Sequence, residues 1–124
     1  IKGRTIGLLG LAFKPHTDDL RDAPALDIAQ RLLELGARVR AHDPVALERA
    51  QKECKLAVDL TDSVEATVED TDAVVLVTEW PQYRTLDWVT LGKTMRNRII
   101  VDGRNFLDRS ALVDAGFRFY AMGR

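Results

Sequence analysis

The sequence has no apolar run near the length of a membrane span and no charged-apolar-small leader, so it reads as a soluble chain with the cytoplasm as its expected compartment. A single cysteine, Cys54, excludes an internal disulfide. It stands in ERAQKECKLAVD, at the end of a charged helix with no histidine beside it, and reads as a half-buried small residue where helix gives way to strand. The two histidines, His16 and His42, lack partners at ligand spacing, and no metal is expected. Charge of one sign is missing too. The 18 Lys+Arg and 19 Asp+Glu leave a net charge of −1, whereas a nucleic-acid or membrane surface needs a large basic excess. Recognition of an anion must therefore be local.

The dinucleotide fingerprint G-x-G-x-x-G is also absent. Gly7 lies within the first apolar run and Gly10 follows it, but their spacing is wrong, Phe13 stands where a further glycine would be, and the next helix begins only near Pro24. No glycine turn presents a helix N-terminus to a pyrophosphate. The stretch from Thr5 to Pro24 instead reads as a central parallel strand, thinned at Gly7 and Gly10 where another group comes close, opening into a long loop that carries Lys14 and Arg21. Such a loop, at the carboxyl end of a strand, is where open α/β sheets bind ligands. Its side-chain cations favour a phosphorylated ligand.

Along the 124 residues, strand-length apolar runs alternate with helical segments, without repeats or low-complexity tracts. The expected elements are a strand at Thr5 to Leu9, a helix from Pro24 ended by Gly36, and a strand at Arg38 to His42. A helix from Val45 to about Lys52, capped by Asp43-Pro44, follows. A short strand at Leu56 to Val58, a helix at Asp62 to Val68 and an apolar strand at Ala73 to Val77 come next. Then come a helical turn near Pro81, a segment around Leu86 to Leu91, a strand at Ile99 to Val101, a helix at Arg109 to Ala115 and a last strand at Phe117 to Met122.

This alternation, with right-handed crossovers, predicts one domain over residues 1–124: an α/β, Rossmann-like, doubly wound and mainly parallel six-stranded sheet of order 3-2-1-4-5-6. Lys14, Thr78-Glu79-Trp80 and Asp102-Gly103-Arg104 then fall at the carboxyl ends of strands one, four and five, on one side of the sheet. Arg96 and Arg98 precede strand five and fall on the opposite edge, as ordinary solvated surface. The chain begins with Ile1 directly before a strand, and reads as a domain of a longer polypeptide.

GLAFKPHTDDLRDAP, AHDP, VLVTEWPQY and VDGRNFLD, in this order, resemble the C-terminal, UDP-binding domain of the UDP-glucose/GDP-mannose dehydrogenase family, and within it the UDP-glucose 6-dehydrogenases. The resemblance spans nearly the whole chain. It implies an NAD-dependent enzyme that oxidises UDP-glucose to UDP-glucuronate through a cysteine thioester, with NAD held mainly by an N-terminal domain and the cysteine by a central one. Neither has a counterpart here, so the resemblance implies no catalytic residue in this chain and no activity of the chain alone. It implies that Phe13 and Lys14, of Ala12-Phe13-Lys14, and Arg104, of Asp102-Gly103-Arg104, contact the UDP-sugar. Arg21, of Thr17-Asp18-Asp19-x-Arg21, reaches NAD phosphates across the domain boundary, or pairs with Asp18, Asp19 or Asp22. Asp18 and Asp19 hold the loop by turn hydrogen bonds.

Some relatives carry a second basic residue where this chain has Asn105. Trp80 is assigned to packing between strand and helix, with stacking on uracil as the alternative. Asp43 reads as a helix cap in preference to a ribose ligand. The partners implied are a UDP-sugar, the NAD-binding and central domains of the same chain, and further copies in a homo-oligomer. Two other readings stay open: the equivalent domain of a GDP-mannose or UDP-N-acetyl hexosamine dehydrogenase, and a non-catalytic packing module.

Overall fold

The computed structural model describes residues 2–11, 24–53, 56–104 and 106–121. Six strands form one sheet: β1 (Thr5–Leu9), β2 (Arg38–His42), β3 (Val58–Leu60), β4 (Ala73–Leu76), β5 (Ile99–Asp102) and β6 (Arg118–Ala121). Their order is β3-β2-β1-β4-β5-β6 and every neighbouring pair is parallel. The expected doubly wound order is thus the one observed. It places β1 between β2 and β4, where the strand order reverses.

The helices are α1 (Pro24–Glu34), α2 (Leu47–Glu53), α3 (Val64–Val68), α4 (Pro81–Arg84), α5 (Trp88–Thr94) and α6 (Arg109–Asp114). α1 buries Ala25 and Ala29, whose small side chains let the helix lie close to the sheet. It ends at Gly36, at φ +89°: the Gly36 N–H donates to Leu33 O and the Ala37 N–H to Leu32 O, a Schellman closure that only glycine enters without strain. Three helices carry side-chain caps at Ser63, Asp87 and Asp108, each accepting from the amide three residues on.

Because side chains alternate along a strand, the sheet divides the interior into two cores. Ile6, Leu8, Val39 and Ala41 face α1 and α2, while Leu9, Val74, Leu76, Ile100 and Phe119 face the side that holds α3 to α6. Gly7 lies on this second side. A Cβ there would come within 2.9 Å of Thr67 O, so what approaches the thinned strand is α3 of the same chain. On the α1 and α2 side, β5 and β6 present Ile99 and Val101, half-buried, and Tyr120, 55% exposed.

Several boundaries depart from the periodicity by a residue or more, three of them for a clear local reason. β3 begins at Val58 instead of Leu56 and takes in Asp59, which an edge strand can leave in solvent while Val58 and Leu60 pack inward. α2 starts at Leu47, because Pro44 to Ala46 form a turn folded onto the Asp43 carboxylate before the helix proper begins. α3 starts at Val64, with Ser63 and not Asp62 at its cap.

Candidate functional site

The carboxyl edge of the sheet is built around the reversal of strand order. β1 gives way to Gly10, with φ +101°, whose amide donates to His42 O at 2.7 Å, while the amides of Val77 and Thr78 both donate to Leu9 O. A Cβ on Gly10 would lie 2.4 Å from Thr78 Cβ and Oγ1, so the chain after β1 and the chain after β4 are in contact here. The room that a glycine could leave for a pyrophosphate is filled by Thr78.

Two buried aspartates organise the loops beside this contact. Asp43, at the end of β2 and 1% exposed, accepts on Oδ1 from the amides of Val45 (2.9 Å) and Ala46 (2.8 Å), as the capping expectation requires. Its Oδ2 accepts from the Leu11 amide at 2.9 Å and from Trp80 Nε1 at 3.2 Å. Asp102, fully buried at the end of β5, accepts on Oδ1 from the Arg104 amide at 2.9 Å, and on Oδ2 from the amides of Phe106 and Leu107, each at 2.7 Å. Between them Gly103 donates its amide to Leu76 O, and a Cβ on Gly103 would meet that same oxygen at 2.9 Å. Glycine is thus required where the end of β5 packs against β4.

This turn delivers Arg104 to the carboxyl edge. Its Nη2 lies 3.0 Å from Glu79 Oε1, with the two side chains 38% and 34% exposed. Arg104 and Glu79, from separate strand ends, are therefore brought together as the topology required. Trp80 is only 4% exposed and belongs to the core with Tyr83 and Leu76, so packing and a buried hydrogen bond account for it. Pro81 occupies the first turn of α4. Phe13, Lys14 and Arg21 lie outside the described residues, as do Ala12, His16, Thr17, Asp18, Asp19, Cys54 and Asn105.

His42 is buried beside Tyr83, Nδ1 to Oη 2.9 Å, with the rings edge-on at 5.8 Å between centroids. Burial lowers its pKa below the ordinary value, against the opposing pull of the Asp43, Glu65 and Asp62 carboxylates. The Tyr83 phenol is pushed up, chiefly by burial and then by the Asp43 charge. Tyr83 Oη also donates to His42 O at 3.2 Å, so this pair anchors α4 to the end of β2.

At the amino edge the arginines have more specific work than solvation. Arg96 Nη1 pairs with Asp72 Oδ2 at 3.3 Å and its Nη2 donates to Asp70 O; Arg98 donates to Gly92 O and Ala115 O, at the ends of α5 and α6. Helix carboxyl termini meet the sheet on this side, and guanidinium groups there add charged donors to the terminal carbonyls. Cavities of about 370 and 270 Å³ lie along this edge, the second lined by Arg96, Arg98 and Arg118. Asp72 is the hub. The hub was not legible from spacing, because its members are 24 to 68 residues apart.

Among the described residues no helix is long and apolar enough to cross a membrane, and no three His, Cys, Asp or Glu side chains group as a metal set.

An all-parallel sheet of this order, with loop-borne polar groups at the carboxyl ends flanking the reversal, defines a Rossmann-like nucleotide-binding class of domain. Residues 7–109 match the model of the UDP-glucose/GDP-mannose dehydrogenase family, UDP binding domain, and the chain belongs to that family. It is 47% identical over 128 residues to a UDP-glucose 6-dehydrogenase of Pseudomonas aeruginosa, covering 99% of this chain and 28% of the relative. It is 42% identical over 124 residues to one of Bacillus subtilis (strain 168), covering 100% and 27%. The chain thus spans little more than a quarter of these relatives. Among solved structures it is similar to the NDP-N-acetyl-D-galactosaminuronic acid dehydrogenase of Methanosarcina mazei Go1, with a TM-score of 0.85 and 28% identity over 99% of this chain and 25% of that one.

Proposed function

We propose that this chain is the UDP-binding domain of an NAD-dependent UDP-glucose 6-dehydrogenase, holding the UDP portion of UDP-glucose while the rest of the enzyme oxidises the sugar to UDP-glucuronate. The observation that carries the reading is the placement of Arg104: its backbone is fixed at the carboxyl edge by the buried Asp102 carboxylate after Gly103, and its guanidinium lies beside Glu79, in a chain of this family. A planar fork in that position suits phosphate or sugar oxygens. Lys14 and Phe13 complete the nucleotide-sugar contact from the loop after β1, and Arg21 reaches NAD bound mainly by another domain. The Thr78 side chain filling the space beside Gly10 supports placing NAD elsewhere.

On this reading the chain contributes binding and orientation and no catalytic residue. The domains that complete the enzyme belong to the same chain, the working protein is a cytoplasmic homo-oligomer, and the half-exposed Tyr120 face of β5 and β6 is available for packing against them. The similarity to an enzyme acting on an N-acetylated sugar keeps a UDP-N-acetyl hexosamine, or GDP-mannose, as the second reading for the substrate.

Calorimetric titration of the chain with UDP, GDP and NAD tests the proposal. UDP binding more tightly than both others is the expected result; tighter GDP moves the assignment to the second reading, and NAD binding more tightly than UDP overturns the domain assignment. NADH formation from UDP-glucose by the chain alone overturns the claim that it lacks the chemistry.

A further inference from the structure

The Asp43 carboxylate does more than a helix cap requires. Capping uses Oδ1 alone, which takes the amides of Val45 and Ala46. Oδ2 faces two donors that have no part in α2: the Leu11 amide and the Trp80 indole N–H. Leu11 is the last described residue before the loop that carries Phe13 and Lys14. Trp80 directly follows Glu79, the residue that Arg104 contacts. A single buried oxygen is therefore shared by the chain leaving β1 and the chain leaving β4.

We infer that Asp43 is a positioning residue for the nucleotide-sugar site, its Oδ2 fixing Leu11, at the end of β1, relative to Trp80 and so to the neighbouring Glu79 that Arg104 contacts. The inference rests on the assignment of that site to UDP. Its physical basis is preorganisation. A carboxylate 1% exposed makes charge-assisted hydrogen bonds that are stronger than neutral ones and lack competition from water. The β1 and β4 ends, tied through it at Leu11 and Trp80, have less freedom to lose when a ligand arrives. Without the tie the same contacts could form, but the ordering would be charged against binding.

Two substitutions separate the tether from the cap. Asp43→Asn keeps an acceptor for the α2 amides, and asparagine caps as well as aspartate, but its amide nitrogen then faces the Leu11 and Trp80 donors. Trp80→Phe leaves the cap and most of the burial and removes one donor. Asp72→Asn, at the opposite edge of the sheet, controls for lost stability without touching either loop.

The experiment is calorimetric titration of the chain with UDP, alongside the indole N–H resonances of its two tryptophans. Asp43→Asn is expected to weaken UDP binding about tenfold and Trp80→Phe about threefold. The double variant should be no weaker than Asp43→Asn, since both remove the same tie. The Trp80 indole resonance should shift in Asp43→Asn and hold its position in Asp72→Asn. UDP affinity unchanged in folded Asp43→Asn overturns the inference; should that variant not fold, unchanged affinity in Trp80→Phe does so. Equal weakening by Asp72→Asn also overturns it, reducing Asp43 to general stability. A wild-type chain that does not bind UDP fails at an earlier point, the site assignment, and takes the inference with it.

Discussion

Arg104 and Glu79 face each other at the carboxyl edge of the sheet, Nη2 to Oε1 3.0 Å, and so join the end of β5 to the end of β4. The pair is about one-third exposed, so removing it should change stability by only about 0–1 kcal/mol. Binding should respond more. Arg104→Ala is expected to weaken UDP binding by about 1.5–3 kcal/mol, and Arg104→Lys by less, because lysine keeps the charge and loses the fork. Calorimetry on both variants checks this, and unchanged affinity in Arg104→Ala would falsify the assignment of Arg104 to the ligand.

Gly10 and Gly3 form a matched pair for the close contact at the strand reversal. Both have positive φ, but a Cβ on Gly3 meets nothing within 4 Å, whereas one on Gly10 strikes Thr78. Gly3→Ala should cost about 1–2 kcal/mol from backbone strain alone. Gly10→Ala adds a clash to that strain and should cost about 2–5 kcal/mol. Urea denaturation of the two variants measures the difference, and equal losses would mean that the contact yields.

His42 makes stability pH-dependent below neutrality. Its pKa in the folded chain lies below the unfolded value of about 6.5, so the unfolded state takes up the proton first. The contribution is therefore complete above about pH 6.5 and declines as pH falls through and below that value. Urea midpoints at pH 8, 6 and 5 should decrease in that order, and His42→Gln should flatten the decrease. A profile equally steep in the variant would assign the effect to other groups.

Asp72 should matter for the fold and not for the ligand. Burial pushes its carboxyl up, but the Thr5 amide, Asn97, Arg96 and Arg4 outweigh burial and hold it below the usual carboxylate value. Its stabilisation is present at neutral pH and is lost only as pH falls through that lowered value. Asp72→Asn, which leaves Arg4 and Arg96 without their carboxylate, should destabilise the chain by about 1–3 kcal/mol at pH 7. UDP affinity should stay within twofold, roughly the effect expected of a site on the far edge.

Arg21 calls for the longer enzyme. On the proposed reading Arg21→Ala leaves UDP binding by this chain intact and raises the NAD concentration needed for half-maximal rate in the full-length protein. The opposite pattern, weaker UDP binding with unchanged NAD kinetics, would place Arg21 in the UDP site or in a local ion pair.

Much of the fold was legible because its signals are local. The β-branched and leucine run at Thr5 to Leu9 with no charge in it reads as a strand covered on both faces, and so it is. Gly36 stops a helix and Asp43-Pro44 starts a turn for reasons contained in a few neighbouring residues. Alternation of strands and helices, with the handedness of crossovers, then yields the order of six strands. Where local signals conflict with position in the sheet, position wins: Asp59 enters a strand because β3 is an edge.

The site was legible only as far as topology carries it. Placing Arg104 and Glu79 on one edge follows from strand order, but their contact is set by the packing of the β5 end, with Gly103 close against Leu76 O. Asp43 could be read as a cap from its neighbour Pro44; nothing near it in the sequence names Leu11 or Trp80, 32 and 37 residues away, as the donors to its other oxygen. The same holds for His42 with Tyr83 and for Asp72 with Thr5. By itself the sequence determined which segments are strands and helices, their order and the edge on which the polar motifs gather, because apolar period and turn chemistry act over a few residues. Tertiary structure alone decided which buried carboxylate oxygen meets which donor, because that match is set by the packing of segments that only the folded sheet brings together.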